Sequence, residues 1–484
     1  MKILLINPPV CNEINHASSS APPLALLYLA GYLRQNGYPD IKVVDAEASR
    51  LTWDKLKELL QKEKPDIIGA TGVSLIFPAL VKTVKLVKKT LPGAKIIVGG
   101  FAATTEPEKI LRESSGAISF VVKGEGELTL LELVKKIEKQ EADFRQVKGI
   151  AYLDQQGQFI TTEPREYIKD LSTVPWPAYD LLDKDPTTYK GMPHDFEGMR
   201  RPVAVMLTTR GCPHRCAFCS LGSKMHRERD IKDAVDEIEF YHNKFGANSI
   251  QLYDDEFIGM SPKQNERVVA FCDEIIRRGL NKKLSFLTQG RCSQFVDLPT
   301  LKKMREANFV WIWWGVESGS QKILDFIHKD ITIASVKRTF DLAKQAGIKR
   351  LMFIMVGFPK ETPADIKLSA DLIKKVKPDQ VAIHIMSPYP GSELRKYLEE
   401  HKLLDNDDYY SFDTRMTVNH HTEELSAQEI KKYYQMMIFR FETGYWYFFK
   451  FLLRSLASAN GWKNLGRRVR TAFSYLLAWG KMTN

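Results

Sequence analysis

The sequence contains little cysteine, with six in 484 residues. Only Cys11 lies in the first 200 residues. Paired spacings of the kind that build a disulfide framework are missing, which excludes a small secreted scaffold and indicates a reducing compartment, so we expect a cytoplasmic protein. Half of the cysteines nevertheless stand together in TTRGCPHRCAFCS (208–220), as Cys212, Cys216 and Cys219.

Long apolar runs are also missing. A membrane-spanning helix needs about 18 or more apolar residues, but Lys450 and Arg454 interrupt one C-terminal run, and the next, TAFSYLLAWG, has ten residues. At the other end, MKILLINPPV is too short for the apolar part of a signal peptide, because Pro8 and Pro9 end it. We therefore expect neither a spanning helix nor a leader.

Acidic residues almost vanish near the C-terminus. Residues 435–484 carry eight Lys or Arg against Glu442 alone, and twelve aromatic residues. Such a composition suits a helix lying in the headgroup zone of an anionic membrane. The alternative is a helical cap over the core with its basic residues in solvent; single-stranded nucleic acid is a less favoured partner. We predict a basic, aromatic, helical C-terminal region over 421–484.

The first 140 residues alternate apolar strand-like runs with amphipathic helical stretches. This alternation predicts an α/β domain over 1–140, with a parallel sheet covered by helices on both faces and ligands at the carboxyl ends of the strands. Small residues follow three successive strands there. The predicted strands are 3–6, 42–45, 66–71, 95–100 and 118–122.

Residues 141–200 break the alternation, with a predicted hairpin at Gln156-Gly157 and a proline-rich linker. A second strand–helix series follows over 201–420. Six units rather than eight predict an incomplete TIM-like (β/α)6 barrel, with its chemistry at the C-terminal ends of the strands. The predicted strands are 203–207, 249–253, 284–288, 309–314, 350–355 and 380–385.

The three clustered cysteines follow the first barrel strand with the spacing C-x3-C-x2-C. Three thiols on one loop indicate a metal site. A structural zinc ion with His214 or His226 as its fourth ligand is one interpretation. An iron–sulfur cubane held by three cysteines, with one iron open, is the other, because the remaining cysteines are scattered.

The cysteine spacing, with Phe218 before the last thiol, resembles the radical S-adenosylmethionine (SAM) superfamily. Four further segments match the family in order at later strand ends: LYDDEF (252–257), WGVESGS (314–320), MVGFPKET (355–362) and MSPYPGSEL (386–394). The resemblance implies a [4Fe–4S] cluster on Cys212, Cys216 and Cys219, with SAM at its open iron. The residues that it implies for SAM binding are Phe218, Asp254, Asp255, Glu256, Glu317, Ser318 and Gly357. Tyr253, Arg291 and Tyr389 are expected at the same mouth, in contact with substrate or in the core.

The N-terminal domain resembles that of the cobalamin-binding subgroup, through GVSL (72–75), VGGFAA (98–103) and VKGEGE (122–127). The cobalamin-binding residues that this resemblance implies are Ser74, Leu75, Gly99, Gly100, Gly124 and Gly126. The D-x-H-x-x-G motif is missing after the first strand, so cobalt is not expected to take a histidine from it. His16 and Cys11 are weak substitutes, and we interpret both as ordinary surface-loop residues.

The resemblance implies reductive cleavage of SAM to a 5′-deoxyadenosyl radical and cobalamin-dependent C-methylation of an apolar or membrane-associated substrate. An external one-electron reductant, of flavodoxin or ferredoxin type, is implied as well. Cyclisation, oxidation or rearrangement, as in anaerobic tetrapyrrole cyclases, is the alternative. An RNA methylthiotransferase is disfavoured because the N-terminal region lacks a second three-cysteine cluster, and a zinc-binding interaction protein is the remaining candidate. The sequence identifies no catalytic side chain.

Overall fold

The fold is described from a computed structural model, which covers residues 1–9, 21–183, 189, 196–220, 225–407 and 417–441. Two large sheets dominate this part of the chain, one of seven strands and one of six. Hydrophobic side chains of both sheets belong to one continuous buried cluster, so the two halves pack directly against each other.

The N-terminal sheet has the order β2-β1-β3-β4-β5-β6-β7. Its first five strands are parallel and follow the flavodoxin-like order, which confirms the predicted architecture. The strands are β1 (Ile3–Asn7), β2 (Ile41–Asp45), β3 (Ile67–Thr71), β4 (Lys95–Gly99), β5 (Phe120–Val122), β6 (Ile150–Leu153) and β7 (Phe159–Thr161). The helices are α1 (Leu24–Gln35), α2 (Trp53–Glu63), α3 (Phe77–Thr90), α4 (Phe101–Thr105), α5 (Pro107–Glu113) and α6 (Glu127–Glu138).

The predicted hairpin at Gln156-Gly157 joins β6 and β7, which extend the N-terminal sheet in antiparallel fashion. Asp154 accepts bonds from the backbone N–H groups of Gln156 and Gln158, at 2.9 and 2.8 Å. Gly157 has a φ of 75°, which a turn of this kind requires. The hairpin is thus an edge of this sheet, while the predicted domain boundaries at 140 and 200 stay predictions.

The second sheet has six parallel strands in the order β15-β14-β13-β12-β11-β8. The first and last strands remain unpaired with each other, so the predicted incomplete barrel is confirmed. Its strands are β8 (Val203–Met206), β11 (Ser249–Leu252), β12 (Ser285–Arg291), β13 (Phe309–Glu317), β14 (Lys349–Val356) and β15 (Gln380–Ile385), and a small hairpin forms from β9 (Thr209–Arg210) and β10 (Arg227–Glu228). The helices are α7 (Ile231–Phe245), α8 (Pro262–Arg277), α9 (Leu298–Glu306), α10 (Gln321–Phe326), α11 (Ile333–Gln345), α12 (Pro363–Val376) and α13 (Glu393–Glu400).

Large aromatic side chains fill the lower part of the barrel. Trp311 and Trp313 are two residues apart on β13 and therefore point to the same inner face of the barrel. They pack there with Phe196, Leu287 and Leu351. Further along the same strand stands Gly315. Because side-chain bulk falls towards the carboxyl end of this strand, the upper end of the barrel keeps room for a ligand.

Helix α14 (Ala427–Phe441) lies in the predicted helical C-terminal region. It packs against β14 and β15, and its buried side chains include Ile430, Met437 and Ile438. The predictions for the basic, aromatic tail from residue 442 concern residues outside the described part of the chain. Among the helices that the structure describes, we find no candidate with the length and hydropathy of a membrane span.

We predict that the buried Arg229–Glu237 pair stabilises the barrel. Glu237 is fully buried and accepts bonds from Arg229 and Tyr241. The substitution Arg229→Met should lower the free energy of unfolding by about 3–5 kcal/mol, since it leaves a buried carboxylate without its counter-charge. Arg277→Met is the matched control, because the guanidinium of Arg277 is exposed in its pair with Glu274 and solvent screening should leave the free energy of unfolding almost unchanged. Urea unfolding followed by circular dichroism measures both, and equal small effects would contradict the prediction.

Candidate active site

One cavity lies where the carboxyl edges of the two sheets face each other. Its volume is about 590 Å³, within the range of about 300–1,000 Å³ that is usual for small-molecule sites. The N-terminal domain contributes Val73, Ser74 and Phe101 to its wall. The barrel side supplies Cys212, Cys216, Phe218, Cys219, Ser220, Asp255, Glu256, Gln289, Gly290, Arg291, Trp313, Gly315, Glu317, Lys329, Phe353 and Tyr389.

The entry to the cysteine loop is held by the acidic segment that follows β11. Fully buried Asp254 accepts bonds from the backbone N–H and the hydroxyl of Thr208, both at 2.6 Å, and from the N–H of Thr209 at 2.8 Å. Asp255 accepts a bond from the Gly211 N–H at 3.2 Å. Asp254 is therefore a brace for the loop and does not line the cavity, whereas Asp255 does.

The third acid of this segment contacts the loop directly. Glu256 Oε2 lies 2.8 Å from His214 Nε2 and 3.9 Å from the Cys212 sulfur. Burial raises the pKa of the Cys212 thiol to about 11, and the carboxylate of Glu256 adds to the effect. His226, the other candidate zinc ligand, has its Nδ1 3.8 Å from Glu228 Oε1.

Metal-ligating atoms meet most closely around Cys212, His214 and Glu256, within 4.8 Å of one another. The sulfurs of Cys216 and Cys219 do not belong to this group, although both cysteines line the cavity. Ligands of one tetrahedral zinc ion would stand about 4 Å apart, given a Zn–S bond of about 2.3 Å. The three thiols therefore do not converge on a single ion, whereas, among the described residues, Cys212, His214 and Glu256 alone have the spacing of single-ion ligands.

Two buried cations face the thiols from the barrel wall. Arg291 is 6% exposed, and its Nη1 lies 3.8 Å from the Cys216 sulfur. Its Nη2 has no hydrogen-bond partner in the part of the chain that the structure describes. Buried polar atoms are nearly always paired in proteins, so this atom is suited to an acceptor on a bound ligand.

Lys329 is the second of these cations. Its Nζ lies 2.8 Å from Glu317 Oε1 and 5.6 Å from the centre of the Phe218 ring. Burial alone would lower the pKa of Lys329, but the neighbouring Glu317 and Cys216 raise it above its ordinary value. Sequence reasoning missed this residue because nothing in its spacing connects it with the cysteines.

Two of the predicted SAM residues stand behind the cavity wall. Ser318 is fully buried and accepts a bond from the Ser320 N–H at 3.2 Å. The N–H of Gly357 donates to Glu361 at 2.6 Å, and its carbonyl accepts a bond from His420 at 2.6 Å. Neither is among the residues that line the cavity, so both are placed to shape the ends of β13 and β14.

The tight turn around Gly357 depends on two buried groups. Burial raises the pKa of Glu361 to about 8. It lowers the pKa of His420 to about 4. Both side chains are therefore mainly neutral at pH 7 and serve as hydrogen-bond partners of the backbone.

The N-terminal face of the cavity is apolar. Val73 and Phe101 are 49% and 44% exposed, and both line the cavity with buried Ser74. Gly100 has a φ of 93°, and a Cβ there would lie 2.6 Å from the Thr71 hydroxyl. The chain can therefore make this turn only with glycine.

Gly99, Gly100, Gly124 and Gly126 are not among the residues that line the cavity. Gly99 ends β4, and Gly124 and Gly126 follow β5 at the same edge of the sheet. The side chain of Leu75 is not described, and His16 and Cys11 lie outside the described residues. Among the predicted substrate contacts, Arg291 and Tyr389 line the cavity and Tyr253 does not.

Two family models match the chain. The radical SAM superfamily matches residues 206–373, and the B12 binding domain matches residues 14–134. An uncharacterized methyltransferase of Pyrococcus horikoshii is 31% identical over 90% of this chain and 92% of its own length. The anaerobic magnesium-protoporphyrin IX monomethyl ester cyclase of Rubrivivax gelatinosus is 29% identical over 86% of this chain and 73% of its own length.

Solved structures show the same fold. The cobalamin-dependent SAM radical enzyme OxsB, with aqua-cobalamin and SAM bound, matches 99% of this chain and 72% of its own, with a TM-score of 0.73 and 18% identity. The radical SAM methyltransferase TsrM of Kitasatospora setae, with cobalamin and a [4Fe–4S] cluster bound, matches 83% and 75%, with a TM-score of 0.67 and 18% identity. The chain belongs to the radical SAM superfamily and carries a B12-binding domain, so it is a radical SAM enzyme with a [4Fe–4S] cluster, SAM and cobalamin as its cofactors.

Proposed function

We propose that this enzyme methylates an unactivated carbon of an apolar substrate. One observation carries the proposal: a single cavity is lined both by the three cysteines and by Val73, Ser74 and Phe101 of the B12-binding domain. When bound, the cluster and SAM supply a carbon radical, and cobalamin supplies a methyl carrier. A substrate in this cavity would be within reach of both.

The residues present fit these groups. Cys212, Cys216 and Cys219 would hold the cluster, with the loop entry braced by Asp254. SAM would lie against the cavity wall beside Asp255 and Glu256, while Glu317 is held in place by Lys329. The remaining residues proposed for the SAM site are Phe218, Ser318 and Gly357. Those proposed for cobalamin are Ser74, Leu75, Gly99, Gly100, Gly124 and Gly126.

The apolar character of the substrate is inferred from the cavity wall. Trp313 and Phe353 pack edge to face at 6.0 Å between ring centres, and Tyr389 and Phe101 also line the cavity. These aromatic side chains offer few hydrogen-bonding groups to water. A bound apolar substrate would therefore exclude water from the reacting atoms. Arg291 Nη2 would donate a hydrogen bond to one acceptor oxygen of a ligand.

Cyclisation or oxidation is the second candidate outcome. It is favoured by the similarity to the anaerobic cyclase of Rubrivivax gelatinosus, at 29% identity over 86% of this chain. The same cavity would serve, since both outcomes begin with hydrogen removal from a carbon. The two differ in whether a methyl group reaches the product.

We also propose that the tail from residue 442 contacts the inner face of an anionic membrane from the cytoplasm, where a flavodoxin or ferredoxin would supply the electron. The support is composition: residues 435–484, which include this tail, contain eight basic and twelve aromatic residues. This placement would bring the enzyme close to membrane-resident apolar substrates.

We predict that Cys216→Ala abolishes reductive SAM cleavage, because the cluster would lose one of its ligands. The measurement is 5′-deoxyadenosine formed from SAM and dithionite by anaerobically reconstituted protein. Cys272→Ala is the matched control, since that thiol is buried on α8 and does not line the cavity. It should keep the wild-type rate and iron content, and equal losses in the two variants would contradict the assignment.

Deuterium labelling of the SAM methyl group distinguishes methylation from cyclisation. With SAM carrying a trideuterated methyl group and an apolar extract of the producing cells, we expect a product that retains all three deuterium atoms. Formation of 5′-deoxyadenosine together with an unlabelled, hydrogen-depleted product would favour the cyclase outcome and overturn the methylation proposal.

For the tail, we predict that Arg467→Gln, Arg468→Gln and Arg470→Gln together weaken binding to phosphatidylglycerol vesicles by about 100-fold, from about 1 kcal/mol for each basic residue. Vesicle flotation at low salt measures this. Lys85→Gln, Lys88→Gln and Lys89→Gln remove the same number of charges from exposed positions of α3 and should leave binding unchanged. Wild-type protein that does not float with these vesicles would refute the membrane proposal.

A further inference from the structure

The loop VKGEGE (122–127) carries two carboxylates that contact the barrel. Its carboxylates, Glu125 and Glu127, do not line the cavity and reach across the boundary between the two domains. There they meet Arg210 of β9 and Arg227 of β10. We call these four residues the domain clamp.

The contacts of the domain clamp are close and mutually supporting. Arg210 Nη2 lies 2.8 Å from Glu127 Oε1, and its Nη1 lies 3.5 Å from Glu125 Oε1. Arg227 Nη1 lies 2.9 Å from Glu125 Oε2. Both arginines therefore share Glu125, and Arg210 binds both carboxylates.

The domain clamp is shielded from water. The side chains of Glu127 and Arg227 are each 5% exposed. The rings of Tyr28 and Tyr167 cover the guanidinium groups of Arg210 and Arg227, at 5.0 and 5.1 Å. Ion pairs removed from water in this way are screened much less than surface pairs, so each partner is costly to remove.

Hydrogen bonds to the neighbouring backbone complete the domain clamp. Ile168 donates its N–H to Glu125 at 3.0 Å and accepts a bond from Arg227 at 2.7 Å. Burial alone would raise the pKa of Glu125, but Arg227 and Arg210 hold it below its ordinary value. The carboxylate is thus kept charged inside the boundary.

The glycines of the loop let it pack closely against the rest of the N-terminal domain. Gly124 has a φ of 78°, and a Cβ on Gly126 would lie 3.0 Å from the Leu29 side chain. The N–H of Gly124 donates to the Thr104 hydroxyl at 3.1 Å. The loop is therefore tied to the N-terminal domain on one side while its carboxylates bind the barrel on the other.

The barrel side of the domain clamp is the base of the cysteine loop. Arg210 stands two residues before Cys212, and it pairs with Arg227 in the β9–β10 hairpin. We propose that the domain clamp positions the cysteine loop relative to the B12-binding domain, and thereby sets the separation between the cluster and cobalamin. Glu125, Glu127, Arg210 and Arg227 are positioning residues in this proposal.

A separation between two cofactors can be measured directly. With the cluster reduced and cobalamin in its cob(II) form, both are paramagnetic, and pulsed electron paramagnetic resonance reports their distance distribution. We expect one narrow distribution for the wild-type holoenzyme. Glu127→Gln, which removes the charge at nearly constant volume, should broaden or shift it.

Arg278→Gln is the matched control. Arg278 binds Asp236, Glu239 and Glu274 entirely within the barrel. Its loss should lower the unfolding midpoint without changing the distance distribution. A Glu127→Gln protein with lowered stability and the wild-type distribution would overturn the proposal, since the domain clamp would then be merely structural. The proposal does not depend on the reaction product, so it stands or falls separately from the methylation.

A second measurement applies if the Glu127→Gln protein does not bind the cluster and cobalamin together. Hydrogen exchange of the cofactor-free protein should then be about tenfold or more faster at residues 208–212 than in the wild type, because local opening is less opposed. Exchange in α7 should remain unchanged. Unchanged exchange at 208–212 would overturn the proposal by itself.

Discussion

The chemistry of this enzyme depends on a fixed position for three thiols, which lie on one loop between the two sheets. A primary carbon radical takes hydrogen from whatever lies nearest, so the group that generates it and the group that it attacks have to be positioned closely. Parallel sheets place their ligand-binding edges at the carboxyl ends of their strands. Turning two such edges towards each other produces one cavity with thiols on one wall and Val73, Ser74 and Phe101 on the other.

Buried acids, rather than the loop itself, carry most of the positioning. Asp254 holds Thr208 and Thr209 through three hydrogen bonds. Glu127 holds Arg210 across the domain boundary. Each is a carboxyl group removed from water, which is stable only when its hydrogen-bond partners are all in place. The base of the cysteine loop is thereby tied to both domains.

The sequence was sufficient for the architecture, because hydrophobic periodicity is a local signal. Both parallel sheets, the six rather than eight barrel strands found among the described residues, and the hairpin at Gln156-Gly157 were predicted from strand–helix alternation and turn residues. The three cysteines were predicted to share a loop, and the structure places all of them on one cavity. Short spacing brings such residues together whatever the rest of the fold does.

Contacts between distant segments were beyond this reasoning. Glu125 reaches Arg227 from the other domain, 102 residues away. Lys329 meets Cys216 and Phe218 only because the fold brings their loops together, although its partner Glu317 is twelve residues away. Asp254 matched a family segment but is used to brace the backbone, because its position on the strand end turns it inward. Such roles depend on side-chain direction, which spacing alone does not determine.

The central claim is that Cys212, Cys216 and Cys219 hold a cluster whose fourth iron is open to SAM. Anaerobically isolated protein, reduced and examined by electron paramagnetic resonance before and after addition of SAM, tests it most directly. We predict about four iron and four sulfide per chain and a reduced-cluster signal that changes when SAM is added. One zinc per chain in place of iron, or a signal that SAM leaves unchanged, would contradict the account.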